Sequence, residues 1–140
     1  MKFTARMKFS QSENEKYFLA VIMKDKKLVD MSTDLSVKAI KLCGKIKGHY
    51  SISNQLERSA TSIGANIREA NYAHGKRDFV SKFKIALKEC YETEYWLEII
   101  QKSEICSAQA VDELMMISGA IRKMLIASIN TATENKANEK

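Results

Sequence analysis

The chain has 140 residues, 45% of them hydrophobic and 29% charged, with no proline and with cysteines only at Cys43, Cys90 and Cys106. That size and apolar content support one domain with a core of its own, and helices are not broken by proline. An odd cysteine count without zinc-ligand spacing argues against a disulfide framework or a metal finger and fits reduced thiols in the cytoplasm. No run approaches the roughly 20 apolar residues that a membrane span needs. The net charge of +6 is uneven. Residues 1–27 carry seven bases and three acids, and the other 113 carry sixteen and fourteen. Attraction to phosphate must therefore come from local patches or from the N-terminal arm.

Residues 1–27 mix polar and apolar side chains without a sustained period and read as a poorly specified extension, with a short strand at Tyr17 to Met23. Acids and a lysine before that run argue against a secretory signal, and Met23 and Met31 leave open that the extension is an upstream leader. The first helix is expected from Leu28 to Lys47, with Leu28, Met31, Leu35, Ala39, Leu42 and Ile46 on one face and Gly48 at its end. Ser51 or Ser53 can cap the second helix. Its seam is Ile52, Leu56, Ala60, Ile63, Ile67 and Ala70, and Gly75 after His74 fits a left-handed C-terminal cap. The third helix, from Lys76 to Lys102, has the seam Phe79, Phe83, Ala86, Cys90, Thr93, Leu97 and Ile100. A turn over Ser103 to Ser107 leads to the fourth, from Ala108 to Ala132, with Val111, Leu114, Ser118, Ile121, Leu125 and Ser128 inward. Residues 133–140 read as a frayed tail. Four amphipathic helices joined by short turns predict an all-α, up-down-up-down antiparallel four-helix bundle over residues 28–132.

Several features exceed what one bundle needs. Met115, Ile126 and Ile129 form a second apolar row on the fourth helix, interrupted by Arg122, and Ile85, Trp96 and Ile99 lie off the third helix's seam. Such rows point to a second contact surface, hence to a homo-oligomer, or else to a wide core. The second helix carries small and polar groups beside its seam, with Gly64 in mid-helix at a cost of about 1 kcal/mol relative to alanine. Close approach of a neighbouring helix would account for that glycine. Asn66 then needs partners near a buried position, and Arg68, Glu92 and Glu94 are candidates for one structural polar network.

The third helix reverses the charge order that its macrodipole favours. Lys76, Arg77, Lys82, Lys84 and Lys88 crowd its first half, whereas Glu89, Glu92, Glu94 and Glu98 fill the second. Either these charges meet complements on neighbours or the basic half is kept for phosphate. Arg77, Lys84 and Lys88 share a stripe, and Lys38, Lys41 and Lys45 form a similar row on the first helix. These six are the candidate nucleic-acid contacts, of the backbone-positioning kind rather than a base-reading code. Tyr91, Tyr95 and Trp96 could stack on unpaired bases, although aromatic residues on bundle helices more often pack inside or at interfaces. No cofactor motif, phosphate loop, nucleophile elbow or Glu-x-x-His pair appears, so the sequence argues against catalysis.

The motif SIGANIREA (Ser62 to Ala70), followed by Lys76-Arg77-Asp78-Phe79 and by ALKECYETEYWLE (Ala86 to Glu98), resembles the bacterial four-helix-bundle family named for 23S ribosomal RNA intervening sequences. That family includes the accessory protein of diversity-generating retroelements. The resemblance spans roughly residues 28–131, and its sharpest part joins Ala65 to Ala70 with the acid pair Glu92 and Glu94. It implies a left-handed bundle assembled as a homopentamer, with RNA or DNA and a reverse transcriptase as possible partners. The resulting expectation is a non-catalytic protein whose lysine-rich faces contact phosphates around an oligomeric ring. The alternative is a protein-interaction scaffold, such as an accessory subunit of a reverse transcriptase, with indirect or no nucleic-acid binding.

Overall fold

The computed structural model describes residues 13–137, with side chains over residues 26–134. It contains α1 (Glu13–Lys45), α2 (Tyr50–Ala70), α3 (Lys76–Ser103) and α4 (Ala108–Ala137). Consecutive helices pack against one another, and α4 returns to α1, which closes the four-helix bundle. The diagonal pairs barely touch.

The expected seams become the core. Phe79, Phe83, Leu35, Leu56, Ile63, Ile67, Leu97, Ile121 and Leu125 are fully buried, with the Phe79 and Phe83 rings tilted by 38° and 4.3 Å apart between centroids. Burying each such side chain contributes about 1.5–3 kcal/mol, so this shared interior holds four otherwise marginal helices together. Gly64 acts as expected from its place in mid-helix. A Cβ there would lie 3.3 Å from Ser32 Oγ on α1, so its absence lets α1 and α2 approach closely. Between α2 and α3, Thr93 donates a buried 2.9 Å hydrogen bond to Ser59, whose hydroxyl donates to the Leu56 carbonyl.

Several local expectations are corrected. Tyr17 to Met23 is helical rather than a strand, and α1 runs through the expected 27/28 boundary without a break. Over Glu13 to Lys27, nine of fifteen residues are Glu, Lys, Leu, Ala or Met, all good helix formers, and neither glycine nor proline interrupts them, so the helix carries the aromatic and β-branched residues between Tyr17 and Met23 with it. Neither Ser51 nor Ser53 caps α2. His49 holds the N-cap position without a side-chain bond, and the Ser53 hydroxyl is buried without a partner. Gly75 is extended, with φ 173°, and precedes α3 instead of closing α2. Among the described residues the left-handed positions are Gly48 at φ 86° and Glu104 at φ 54°. The last helix passes residue 132 and reaches Ala137, so the expected tail at 133–140 is helical as far as it is described.

The second apolar rows are largely absorbed by the bundle itself. Met115 and Trp96 pack on the core, Ile129 is buried, and Ile99 and Ile126 are half-buried. Ile85 stays exposed, and the other large exposed apolar side chains among the described residues are Val37, Ile40, Tyr50, Tyr72, Tyr91, Tyr95 and Met116. The wide core therefore explains most of the pattern, and the exposed apolar groups lie largely elsewhere.

Candidate nucleic-acid interface

Heptad-like burial of Phe79, Phe83, Ala86, Cys90 and Leu97 turns the opposite face of α3 to solvent. Arg77, Lys84, Lys88, Tyr91 and Tyr95, spaced seven, four, three and four apart, are all exposed along it. At the basic end, Lys76, Arg77, Lys84 and Lys88 line a groove of about 670 Å³ with Val80, Ser81 and Ile85, closed on one side by Ala132 and Thr133 of α4. No carboxylate among the described residues lines it. The Lys76 ammonium is buried there without a hydrogen-bond partner among the described residues.

The reversed charge order of α3 is resolved mainly by its neighbours. Arg58 on α2 pairs with Glu89 at 3.4 Å and more closely with Glu92. Arg122 on α4 binds Glu94 through Nε at 3.1 Å. Lys82 reaches Glu69 of α2 at 2.9 Å, and Glu98 takes Lys102 within its own helix. The hydrogen bond from Arg58 holds the Glu92 carboxyl below its ordinary value, whereas burial pushes Glu89 up. Among the described ion pairs, none uses Arg77, Lys84 or Lys88. The acidic half of α3 is thus spent on the bundle, and most of the basic half is not.

The two lysine rows do not form one surface. Lys38 is engaged by Glu113 of α4 at 2.6 Å and by Asp34 at 3.1 Å, which raises its pKa. Lys41 and Lys45 are exposed, but they sit near the C-terminal end of α1, diagonal to α3. In an up-down-up-down bundle that end lies opposite the one carrying Arg77.

Nor do Asn66, Arg68, Glu92 and Glu94 join in one network. Asn66 donates to the Ser62 carbonyl at 2.8 Å within its own helix, and exposed Arg68 donates to Thr33 at 3.1 Å. A short amide satisfied by the preceding turn has no need of the acids on α3. Glu92 and Glu94 instead serve two separate clusters. Glu92 accepts from Arg58 and from the Trp96 indole at 3.2 Å, and Trp96 meets Tyr95 edge-on at 5.0 Å. Glu94 holds Arg122, whose guanidinium lies 5.9 Å over the Tyr91 ring.

Sequence reasoning missed Arg58 and Arg122 as the partners of these acids, although both left signals. A hairpin folded at His74-Gly75 sets Arg58 nearly level with Glu92. Arg122 interrupts an otherwise apolar row, a position that asks for a carboxylate nearby.

Among the described residues there is no group of three or more His, Cys, Asp or Glu arranged to hold a metal, and no helix is long and apolar enough to cross a membrane. Cys43, Cys90 and Cys106 are free thiols, and burial pushes Cys90 up to about 12 and Cys43 up to about 11.

Comparison with curated proteins gives no match. Among solved structures, a protein of unknown function from the S23 ribosomal protein family of Bacteroides thetaiotaomicron is similar, with 39% sequence identity and a TM-score of 0.71. The similarity covers 76% of this chain and 98% of that one. The family model described as 23S rRNA-intervening sequence protein matches residues 24–127, nearly the whole described bundle. With sequence pattern, fold and an identity of that level in agreement, the chain belongs to the 23S rRNA-intervening sequence protein family.

Proposed function

We propose that the protein is a non-catalytic nucleic-acid-binding bundle that contacts RNA or DNA phosphates through the basic half of α3. One observation carries this reading. Among the described residues Arg77, Lys84 and Lys88 are exposed together without carboxylate partners, while Lys38, Lys82, Lys102, Arg58 and Arg122 are each neutralised by an acid. Lysines and an arginine on one line act as charges that position a backbone. Lys41 and Lys45 form a separate patch of lesser weight.

A patch of three cations is weak alone, and repetition in a homo-oligomer makes it effective. Exposed Val37 and Ile40, one turn apart on α1, and Met116 on α4 offer apolar contacts for that assembly. A pentamer would have five times the chain mass of 15.9 kDa by light scattering. The same apolar groups favour the second reading, a scaffold that docks another protein, such as a reverse transcriptase, and touches nucleic acid only indirectly.

Fluorescence anisotropy with a short labelled RNA separates the two. Lys84→Glu combined with Lys88→Glu is expected to abolish binding seen at low salt while leaving the helical circular dichroism unchanged. Unchanged RNA affinity in a folded double variant would remove this face from the proposal.

A further inference from the structure

The exposed line on α3 does not end with its cations. Three residues beyond Lys88 comes Tyr91, and one turn further Tyr95, each 53% exposed. Large aromatic rings on the outside of a bundle contribute nothing to its core, and both rings are braced rather than loose. Arg122, fixed by Glu94, lies over Tyr91, and Trp96, fixed by Glu92, meets Tyr95 edge-on. The two acids are thereby positioning residues, holding the groups that orient the two rings. Side chains ordered beforehand lose less entropy when a ligand arrives.

We infer that this face takes single-stranded nucleic acid, with phosphates on Arg77, Lys84 and Lys88 and unpaired bases stacked on Tyr91 and Tyr95. The inference rests on the phosphate-binding reading above and deepens it by naming the strand class. Charge complementarity selects the occupant, because the tyrosines continue a line of cations that no described ion pair uses, and the acids flanking them, Glu92 and Glu94, are held by Arg58 and Arg122. Spacing selects the strand. Tyr91 and Tyr95 are separated by about 6 Å along a helix that rises 1.5 Å per residue. Successive bases in a duplex rise only about 3.4 Å and keep their faces covered. Two rings at the wider spacing engage neighbouring bases only when the strand is unstacked and drawn out. Stacking of this kind tolerates any base, so the face would discriminate by strandedness more than by sequence.

The test compares a single-stranded RNA oligonucleotide with its blunt duplex by fluorescence anisotropy at one fixed low salt, using the full chain. The wild type is expected to prefer the single strand. Tyr91→Ala with Tyr95→Ala should lower single-strand affinity by at least about fivefold per ring and leave duplex affinity unchanged. Tyr91→Phe with Tyr95→Phe, which keeps both rings, should retain the preference. If the alanine pair leaves single-strand affinity unchanged while Lys84→Glu with Lys88→Glu still abolishes it, stacking is refuted and the phosphate reading stands. If the wild type binds neither oligonucleotide, both fall. A change in solution mass on the alanine substitutions, with no change in RNA affinity, would make these tyrosines a contact between copies of the chain and overturn the inference.

Discussion

The salt dependence of RNA binding can be worked out from the ion pairs before any measurement. Each phosphate neutralised on a single strand contributes about −0.7 to the slope of log affinity against log salt. The three exposed cations of α3 that no described ion pair uses, Arg77, Lys84 and Lys88, give about −2.1 per protomer, so raising salt from about 50 to 200 mM lowers affinity roughly 18-fold. Lys84→Gln with Lys88→Gln leaves Arg77 alone, and the same change in salt then costs roughly threefold. Lys38→Gln serves as the control. Its ammonium is already committed to Glu113 and Asp34, so its loss should not move the slope. Anisotropy titrations at four salt concentrations, with fixed protomer concentration, would yield all three slopes. A Lys84/Lys88 variant with the wild-type slope, or a Lys38 variant that loses as much, would refute the distinction between free and paired cations.

Three further outcomes follow from packing and charge. Gly64→Val places branched methyls against Ser32 in a contact already tight for a bare Cβ, and urea unfolding should show a loss of roughly 1–3 kcal/mol. Glu92 is held below its ordinary pKa chiefly by the hydrogen bond from Arg58. It therefore contributes stability above the unfolded carboxylate value of about 4.3 and loses it as pH falls through the folded value. Arg58→Met should bring the Glu92 midpoint, read by carbon-13 NMR, back towards the ordinary range, and its stability deficit should shrink as pH falls below about 4. Thiol alkylation of the native protein at pH 8, followed by mass spectrometry, should modify Cys106 first, Cys43 more slowly and Cys90 last, because burial disfavours the thiolate most strongly at Cys90. Early labelling of Cys90 would contradict the burial of the α3 seam.

Helix number and seams were legible in the residues alone. A buried stripe repeats every three or four positions, and that periodicity survives whatever the neighbouring helices do. Hence Phe79, Phe83, Cys90, Leu97, Ile121 and Leu125 were readable as core, and Gly64 as a close approach, without coordinates. The helix ends were less legible. His49 rather than a serine precedes α2, and extended Gly75 opens α3, because short turns are settled by how the flanking helices pack and not by local capping preference.

Only the tertiary structure decided which charges are free. Sequence placed Lys38, Lys41 and Lys45 as equal members of one row, and it set Arg77, Lys84 and Lys88 on a stripe without showing what Lys82 beside them meets. Folding neutralised Lys38 with Glu113 and Lys82 with Glu69, and it left Arg77, Lys84 and Lys88 in the open. It likewise drew Arg58 and Arg122 to the acids of α3 and braced two tyrosines at the surface beside the lysines. The reason is geometric. A side chain's charge type and helical face are properties of its own segment, whereas its partner belongs to another helix, and the register between helices is fixed by packing of the whole core.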